Sequence, residues 1–209
     1  MANAIITARG VGLDLGGVPV LRGVDLTAVP GEIVAVMGEN GVGKSTLLRC
    51  LAGLHPSPRG EIDVLGGPPA DLPGFWRHVV QAGDEPAWYP GLSVREHLEL
   101  MEAVHQDARL TVGEALETFE LTARADLAPL SLSTGQRQRL SLAMALLRPS
   151  RLLLLDEPER GLDAGFRQRL AEILRGYAAA DGGTVVMATH DARLAQDTGA
   201  RVITLRAAS

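Results

Sequence analysis

The feature that most constrains the fold of this chain is a buried strand that runs directly into a glycine-rich loop and a helix. The segment Ile33–Met37 is apolar throughout, which is typical of a parallel strand covered on both faces. The residues after it fit the pattern G-x-x-x-x-G-K-[ST]: Gly38, Glu39, Asn40, Gly41, Val42, Gly43, Lys44, Ser45 and Thr46. Leucines then recur at helical spacing up to Leu54. Such a loop can wrap backbone N–H groups around a phosphate at the start of the helix.

Lys44 is the only lysine in the chain, and the other nineteen basic residues are arginines. An ammonium on a thin stem can enter a cradle of N–H groups and reach the β- and γ-phosphates, whereas a planar guanidinium does not fit in the same way. The alternative is an ordinary glycine-rich turn, but the flanking strand and helix favour a phosphate loop. We therefore predict that this loop binds a nucleoside triphosphate.

Length, net charge, cysteine content and apolar runs restrict the classes of protein to which this chain can belong. A length of 209 residues predicts one domain, and a formal charge of −5 gives no electrostatic footprint for nucleic acid. The single cysteine, Cys50, excludes an intramolecular disulfide and is predicted to be a small buried hydrophobe. The N-terminus carries no visible secretory signal, and no apolar run approaches the roughly 20 residues that span a bilayer. A cytoplasmic location is expected.

The order of the other segments predicts an α/β fold. Short apolar segments predict antiparallel strands beside the nucleotide-binding sheet, around Ile5 and at 18–21, 24–26 and 61–65. The segment 79–81 predicts a further core strand. Strands and helices then alternate near the C-terminus, at 152–155, 163–177, 184–188, from 191 onward and at 201–205. This alternation predicts a parallel sheet with helices on both faces and a nucleotide site at the carboxyl ends of its strands.

Between Ser93 and about Arg148 the pattern becomes helical. Two helices in this stretch open with capping boxes, Ser93 to Glu96 and Thr111 to Glu114. We predict one domain over residues 1–209, with a core and β subdomain at about 1–83 and 150–209. The helical subdomain is predicted at about 84–149.

Two adjacent acids follow a run of four leucines at residues 152–155. This buried strand is expected to deliver Asp156 and Glu157 to the edge of the sheet, where Asp156 can reach a magnesium ion and Glu157 the attacking water. Two buried acids side by side would be costly without a cation. The alternative is a helix N-cap with a solvated neighbour.

A further motif identifies a family. The residues Leu132, Ser133, Thr134, Gly135 and Gln136 are close to the signature L-S-G-G-Q, with threonine in the first glycine position. Together with the phosphate loop and the leucine–acid strand, they make the chain similar to the ATP-binding cassette (ABC) ATPases over essentially its full length. The resemblance implies a P-loop NTPase with a RecA-like parallel core, an antiparallel β subdomain and an inserted α-helical subdomain.

The resemblance also implies roles for single residues. Gln81 resembles the glutamine that coordinates magnesium together with Ser45 and Asp156. His190 resembles the switch histidine, although a lone histidine is often structural. Asp163 resembles the acid of the D-loop, which touches the partner subunit, and an N-cap role for it is equally compatible.

The implied reaction is ATP hydrolysis with Mg²⁺. Lys44 would steady the γ-phosphate, Glu157 would orient or deprotonate water, and His190 would complete the catalytic set. The signature would close on ATP held by a second subunit, so a homodimer is expected. Leu15 stands where the family commonly has an aromatic that stacks on adenine. This substitution predicts modest ATP affinity and weak discrimination against GTP.

The size of the chain resembles that of the detachable motor subunit of a transporter, with the permease as a separate chain at the membrane. Exporter cassettes are the most similar type. Four aromatic residues could anchor that permease or could be buried, and the sequence leaves both open: Phe75, Trp76, Trp88 and Tyr89. The rival is a soluble non-transport ABC ATPase of DNA repair or translation, and a further alternative is a regulatory subunit that binds nucleotide without turnover.

Overall fold

A computed structural model describes residues 4–55, 59–83, 88–105, 107–180 and 182–207. Within these residues the strands are β1 (Ile6–Leu15), β2 (Val18–Ala28), β3 (Ile33–Met37), β4 (Arg59–Val64), β5 (Val79–Ala82), β6 (Leu152–Asp156), β7 (Thr184–Ala188) and β8 (Arg201–Thr204). The helices are α1 (Lys44–Leu51), α2 (Pro73–Trp76), α3 (Val94–Val104), α4 (Val112–Thr118), α5 (Thr134–Leu147), α6 (Ala164–Ala179) and α7 (Ala192–Asp197).

The larger sheet has five strands in the order β5-β6-β7-β3-β8, and every neighbouring pair is parallel. The predicted parallel sheet is therefore confirmed. Its register places Val36 of β3 beside Ala188 of β7, and Ala188 beside Asp156 of β6. Because parallel strands all end on the same side, the segments after these three strands begin at one edge of the sheet.

The two faces of this sheet bury two separate apolar clusters, because successive side chains of a strand point to opposite faces. On one face the sheet packs against α5 and α6, with Ile33, Ala35, Leu153, Leu155, Val185 and Met187 in the cluster. On the other it packs against α1 and the smaller sheet, with Val34, Val36, Leu152, Leu154, Val186 and Ala188. All four leucines of β6 are fully buried, as expected for a strand covered on both faces.

The smaller sheet is antiparallel in the order β2-β1-β4, which confirms the predicted strands beside the parallel sheet. The prediction of separate strands at 18–21 and 24–26 is wrong, since both belong to the single strand β2. Between the pairs Leu13 to Leu21 and Val11 to Val24, β2 contains one residue more than β1, which is a β-bulge. Gly23 lies in this bulge at φ 58°, so it bends the strand without ending it.

Helix α1 ends at Leu51 rather than at Leu54. Gly53 adopts φ 72°, and its N–H donates to the carbonyl of Cys50, while the Leu54 N–H donates to the carbonyl of Arg49. These two bonds form a Schellman motif, which closes the helix around a left-handed glycine. The apolar spacing continues past this stop, and for that reason the sequence pattern overestimated the length of the helix.

The chain between β5 and β6 is helical, with α3, α4 and α5 and two short 3-10 turns at 122–124 and 129–131. Both predicted capping boxes are present at the starts of α3 and α4. The connection before β5 contains the short helix α2, which has Pro73 in its first turn. None of the helices in the described residues combines the length and the apolar character needed to cross a membrane.

The burial of Cys50 leads to a prediction about its reactivity. The thiol lies on α1 with 1% of its surface exposed, and burial raises its pKa to about 11. At pH 8 only about 0.1% of such thiols are ionised, so we expect iodoacetamide to modify the folded protein slowly. Mass spectrometry would follow the reaction. The same protein unfolded in guanidinium chloride should react fully at its one cysteine, and equal rates in the two states would contradict the prediction.

Candidate functional site

The phosphate loop follows β3 and is held closed by the lysine. The Lys44 ammonium donates to the carbonyl of Gly38 at 2.9 Å and to that of Glu39 at 3.1 Å, and Lys44 is 6% exposed. Gly41 and Gly43 adopt φ 79° and 101°, which a residue with a side chain would adopt only with strain. The lysine thus occupies the inside of a glycine-rich turn, where it can exchange these carbonyls for phosphate oxygens.

The loop is packed against both neighbouring layers of the structure. A Cβ atom at Gly43 would lie 2.9 Å from the Val20 carbonyl oxygen in β2, and one at Gly38 would lie 2.8 Å from the Leu205 carbonyl oxygen. Other loop residues differ in exposure: Glu39, Asn40, Gly41 and Ser45 are exposed, Thr46 is half-buried and Val42 is buried. The glycines therefore set the close approach of the loop to its surroundings, while its outer side stays open to a ligand.

The two acids after β6 lie at the same edge of the sheet. Glu157 has φ 49°, an unusual conformation for a residue with a side chain, and its N–H donates to the carbonyl of Ala188 at 2.8 Å. The chain turns sharply here, because this bond ties the residue after β6 to the end of β7. Strained non-glycine residues of this kind cluster at functional sites.

His190 faces Glu157 directly. The His190 Nδ1 lies 2.5 Å from the Glu157 Oε2, and the two side chains are 61% and 26% exposed. A contact this short is a hydrogen bond, with one proton shared between the ring nitrogen and the carboxylate oxygen. The predicted switch histidine and the predicted catalytic carboxylate therefore contact each other.

A second carboxylate lies behind this pair, which sequence reasoning missed. Glu159 is 5% exposed, its Oε1 accepts a hydrogen bond from the Thr189 hydroxyl, and it lies 3.6 Å from the His190 Nδ1. Ligand atoms of Glu157, Glu159 and His190 all lie within 4.8 Å of one another, a spacing that could hold a cation. No sequence signal indicated the burial, since Glu159 stands in a polar run and glutamate is rarely buried.

Gln81 lies one residue before the end of β5, and Asp156 ends the neighbouring strand β6. A Cβ atom at Gly83 would lie 2.4 Å from the Asp156 Cβ, so the chain after β5 passes tightly against the end of β6. The Gln81 Oε1 is buried and has no hydrogen-bond partner among the described residues. Amide, carboxylate and hydroxyl oxygens are the ligands that Mg²⁺ prefers, so the chemistry of Gln81, Asp156 and the exposed residue Ser45 fits the predicted magnesium ligands.

The predicted signature begins helix α5. Ser133 is the N-cap, with its hydroxyl accepting from the Gln136 N–H at 3.2 Å, while the Gln136 side chain accepts from the Ser133 N–H at 3.0 Å. Leu132 is buried, Ser133 and Thr134 are exposed, and Gly135 and Gln136 are half-buried. The capping box thus fixes a corner whose hydroxyl groups face the solvent.

Asp163 lies beside this corner and caps helix α6. Its Oδ1 accepts from the Phe166 N–H at 2.9 Å, and its Oδ2 lies 2.7 Å from the Arg139 guanidinium. The Phe166 N–H, helped by Arg139, lowers the pKa of the Asp163 carboxyl. Arg139 also pairs with Glu120 at 2.5 Å and stacks over the Phe166 ring at 4.0 Å. The N-cap alternative for Asp163 is correct, and it leaves a D-loop role open.

The predicted site residues therefore form two groups. The first group lies at the carboxyl ends of the parallel strands. It consists of the phosphate loop after β3, Gln81 near the end of β5, Asp156 and Glu157 at the end of β6, and His190 after β7. The second group is the signature at the start of α5, where a Cβ at Gly135 would lie 2.5 Å from the Gly161 carbonyl oxygen, together with Asp163, which pairs with Arg139 of the same helix.

Comparison with known proteins decides the family. The sequence profile of the ABC transporter family matches residues 21–160, which include the phosphate loop, the signature and the acids after β6. The chain belongs to the ABC transporter family. Its ATP-binding cassette fold agrees with a solved dimeric structure of a post-hydrolysis state of an ATP-binding cassette bound to ADP and Pi. The two chains share 28% identity and a TM-score of 0.82, over 96% of this chain and 94% of that one.

Relatives include both exporters and importers. The chain is 41% identical over 192 residues to the cytochrome c biogenesis ATP-binding export protein CcmA of Bordetella parapertussis, covering 90% of this chain and 84% of the relative. It is 37% identical over 198 residues to the aliphatic sulfonates import ATP-binding protein SsuB 2 of Pseudomonas aeruginosa, covering 95% and 70%. The chain is thus an ABC ATPase of the transporter type, and the non-transport alternative is not favoured.

The conformation of Gly43 leads to a prediction about nucleotide binding. Gly43→Ala would force a Cβ into a left-handed position 2.9 Å from the Leu21 side chain and the Val20 carbonyl oxygen. We expect the loop to shift and the ATP dissociation constant to rise at least about tenfold, which titration calorimetry would measure. Gly113→Ala is the control, because a Cβ there meets nothing within 4 Å. Unchanged affinity in the Gly43 variant would show that the loop tolerates a side chain.

Proposed function

We propose that this ABC ATPase is the ATP-hydrolysing motor subunit of an exporter, which dimerises on ATP and drives a separate membrane permease. The observation that carries the proposal is that one chain holds a phosphate loop at the start of α1 and an exposed signature corner at the start of a different helix, α5. A pocket that needs both parts can be completed by two copies arranged head to tail. ATP held between them would stabilise the closed dimer by mass action, and hydrolysis would release it.

Catalysis in this proposal consists of positioning and charge neutralisation. Lys44 and the N–H groups of residues 38–46 hold the phosphates, and the helix α1 N-terminus adds its partial positive charge. Glu157 orients the attacking water or takes its proton, and His190 contacts the γ-phosphate. Because these two side chains contact each other, His190 would have to leave Glu157 to reach the γ-phosphate, and we expect ATP to separate them.

Mg²⁺ is part of the proposed site. Ser45, Gln81 and Asp156 would hold it, and the orphaned Gln81 oxygen supports this choice. The ion would neutralise phosphate charge when bound. The chain's own contribution is to fix the three oxygen ligands on three different elements at one sheet edge.

In the proposed dimer, the signature acts on the ATP of the partner. Its residues are Leu132, Ser133, Thr134, Gly135 and Gln136. The exposure of the Ser133 and Thr134 hydroxyls in the single chain supports this assignment. The N-terminus of the 14-residue helix α5 would face the γ-phosphate. Asp163 would lie at the dimer interface, held in place by Arg139. A homodimer is the simplest arrangement, since one chain carries every part.

We propose the groove beside Gln81 as the docking site of the permease. Met101, Met144 and Arg148 line it together with the end of β5, in a cavity of about 190 Å³. Tyr89 is 55% exposed, whereas Phe75, Trp76 and Trp88 are half-buried. Docking would place the protein on the cytoplasmic face of the membrane. The motor would then act as one domain over residues 1–209, with the helical subdomain at about 84–149 transmitting the motion.

The direction of transport is proposed from the export-named relative, which is 41% identical over most of both chains. Copurification of the tagged chain from its native membrane, with identification of the integral membrane protein that comes with it, would test the proposal. Vesicles that contain both proteins should then take up or expel cargo only with ATP. A permease that moves cargo toward the ATPase side would overturn the exporter assignment and keep the motor assignment.

The catalytic role of Glu157 leads to a prediction. Glu157→Gln keeps the shape of the side chain but removes its basicity, so kcat should fall about 10²-fold or more while ATP binding persists. Phosphate release would measure turnover, and size-exclusion chromatography with ATP should show a persistent dimer. Glu172→Gln on the exposed face of α6 is the matched control. Normal turnover in the Glu157 variant would remove this residue from the mechanism.

The position of Leu15 leads to a second prediction. Leu15 is 41% exposed at the β1–β2 hairpin, and β2 packs against the phosphate loop. Leu15→Tyr should tighten ATP binding about two- to tenfold, because stacking adds about 0.5–1.5 kcal/mol. Titration with ATP and GTP would measure the change. Leu72→Tyr, at a position 60% exposed, is the control for adding a ring. No gain in ATP affinity would contradict the expected contact with adenine.

A further inference from the structure

The side chain of Glu159 is buried beneath the loop that carries His190. Glu159 is 5% exposed and Thr189 is fully buried, and the Thr189 hydroxyl donates a hydrogen bond to the Glu159 Oε1. The same hydroxyl oxygen accepts from the Asp191 N–H at 2.9 Å. The two residues that flank His190 are therefore tied, through one hydroxyl, to the carboxyl group of Glu159.

The flanks of His190 are fixed, whereas its ring is open to solvent. The Thr189 N–H donates to the Val36 carbonyl at 3.1 Å, and Asp191 caps helix α7 through the N–H groups of Arg193 and Leu194. The His190 side chain is 61% exposed. An exposed ring has many rotamers, so its direction depends on how firmly the backbone on either side is held.

Burying the carboxyl group of Glu159 costs folding free energy, which points to a functional role for this side chain. Its Oε2 has no hydrogen-bond partner among the described residues. Burial raises the pKa of this carboxyl, the Thr189 hydrogen bond opposes the shift, and the nearby Glu157 adds to it. A leucine in its place would avoid the cost of a buried polar group. The side chain instead ends 3.6 Å from the His190 Nδ1.

We propose that Glu159 is a positioning residue for His190: through the Thr189 hydroxyl it holds residues 189–191 so that the imidazole can move between Glu157 and the γ-phosphate. This inference rests on the proposed role of His190 in hydrolysis. In this role Glu159 acts through His190 and does not itself contact the attacking water or the nucleotide. Its loss should therefore lower kcat and leave the Michaelis constant for ATP unchanged, since Lys44 and its loop are not altered.

The test is a double-mutant cycle between Glu159 and His190. Four single variants are made: Glu159→Leu, Glu159→Gln, Thr189→Val and His190→Ala. Glu159→Leu and Thr189→Val are also each combined with His190→Ala. Glu159→Leu and Thr189→Val should each lower kcat about tenfold with the Michaelis constant within about twofold, because a misplaced group slows the reaction without weakening binding. Glu159→Gln keeps an oxygen that accepts from Thr189, so it should remain within about threefold of the original kcat.

The decisive comparison is made in the His190→Ala background. If Glu159 acts through His190, Glu159→Leu should cause no further loss there, because the residue that it positions is already gone. If His190→Ala alone is slow, and the losses in kcat of the two single variants multiply in the double variant, this inference is wrong. The role of His190 would then still stand. Normal turnover of His190→Ala would overturn both.

Two measurements separate positioning from a merely structural effect. The ring nitrogen resonances of His190 in ¹⁵N NMR spectra should shift in Glu159→Leu and Thr189→Val but not in Glu117→Gln, an exposed control on α4. Thermal unfolding identifies variants that are folded at the assay temperature. Unshifted His190 resonances in folded Glu159→Leu and Thr189→Val would also overturn the proposal.

Discussion

The register between three parallel strands is the constraint on which the candidate site depends. Val36 in β3, Ala188 in β7 and Asp156 in β6 lie side by side, so the phosphate loop, the segment with His190 and the acidic pair all start from one edge. A shift of one residue in β6 would turn its side chains to the opposite face and move Asp156 away from this edge. The buried leucines of β6 oppose such a shift, because both faces of the sheet are closely packed. The apolar core thus sets the geometry of the polar site.

The parts of the structure that sequence could predict are those with local physical causes. The strand before the phosphate loop, the parallel sheet and the helix starts at Ser93 and Thr111 all follow from apolar runs or capping boxes within a few residues. The continuity of β2 did not follow, because Gly23 can form either a turn or a bulge and only its pairing with β1 decides between them. The contacts of Arg139 with Glu120 and Asp163 span 19 and 24 residues, and no sequence period records them.

The burial of Glu159 in the candidate site could not be predicted from the sequence either. In sequence it follows a proline and precedes an arginine, a setting that suggests a solvated surface. In the structure the tight turn at Glu157 carries the chain under the end of β7, which buries Glu159 beneath Thr189. A left-handed residue thus lies two positions before a buried acid. Sequence patterns describe regular elements well, but they carry little information on such turns.

The signature corner and the phosphate loop differ in how the first N–H groups of their helices are capped. In α1 the first N–H groups follow Gly43 and no side chain caps them, which leaves them available for phosphate. In α5 the Ser133 and Gln136 side chains form a closed capping box, so the corner keeps its shape without a ligand. An uncapped helix start binds an anion strongly but is less ordered alone, whereas a capped start is preformed and presents its hydroxyl groups to a partner. This difference agrees with a loop that binds nucleotide first and a corner that closes on it afterwards.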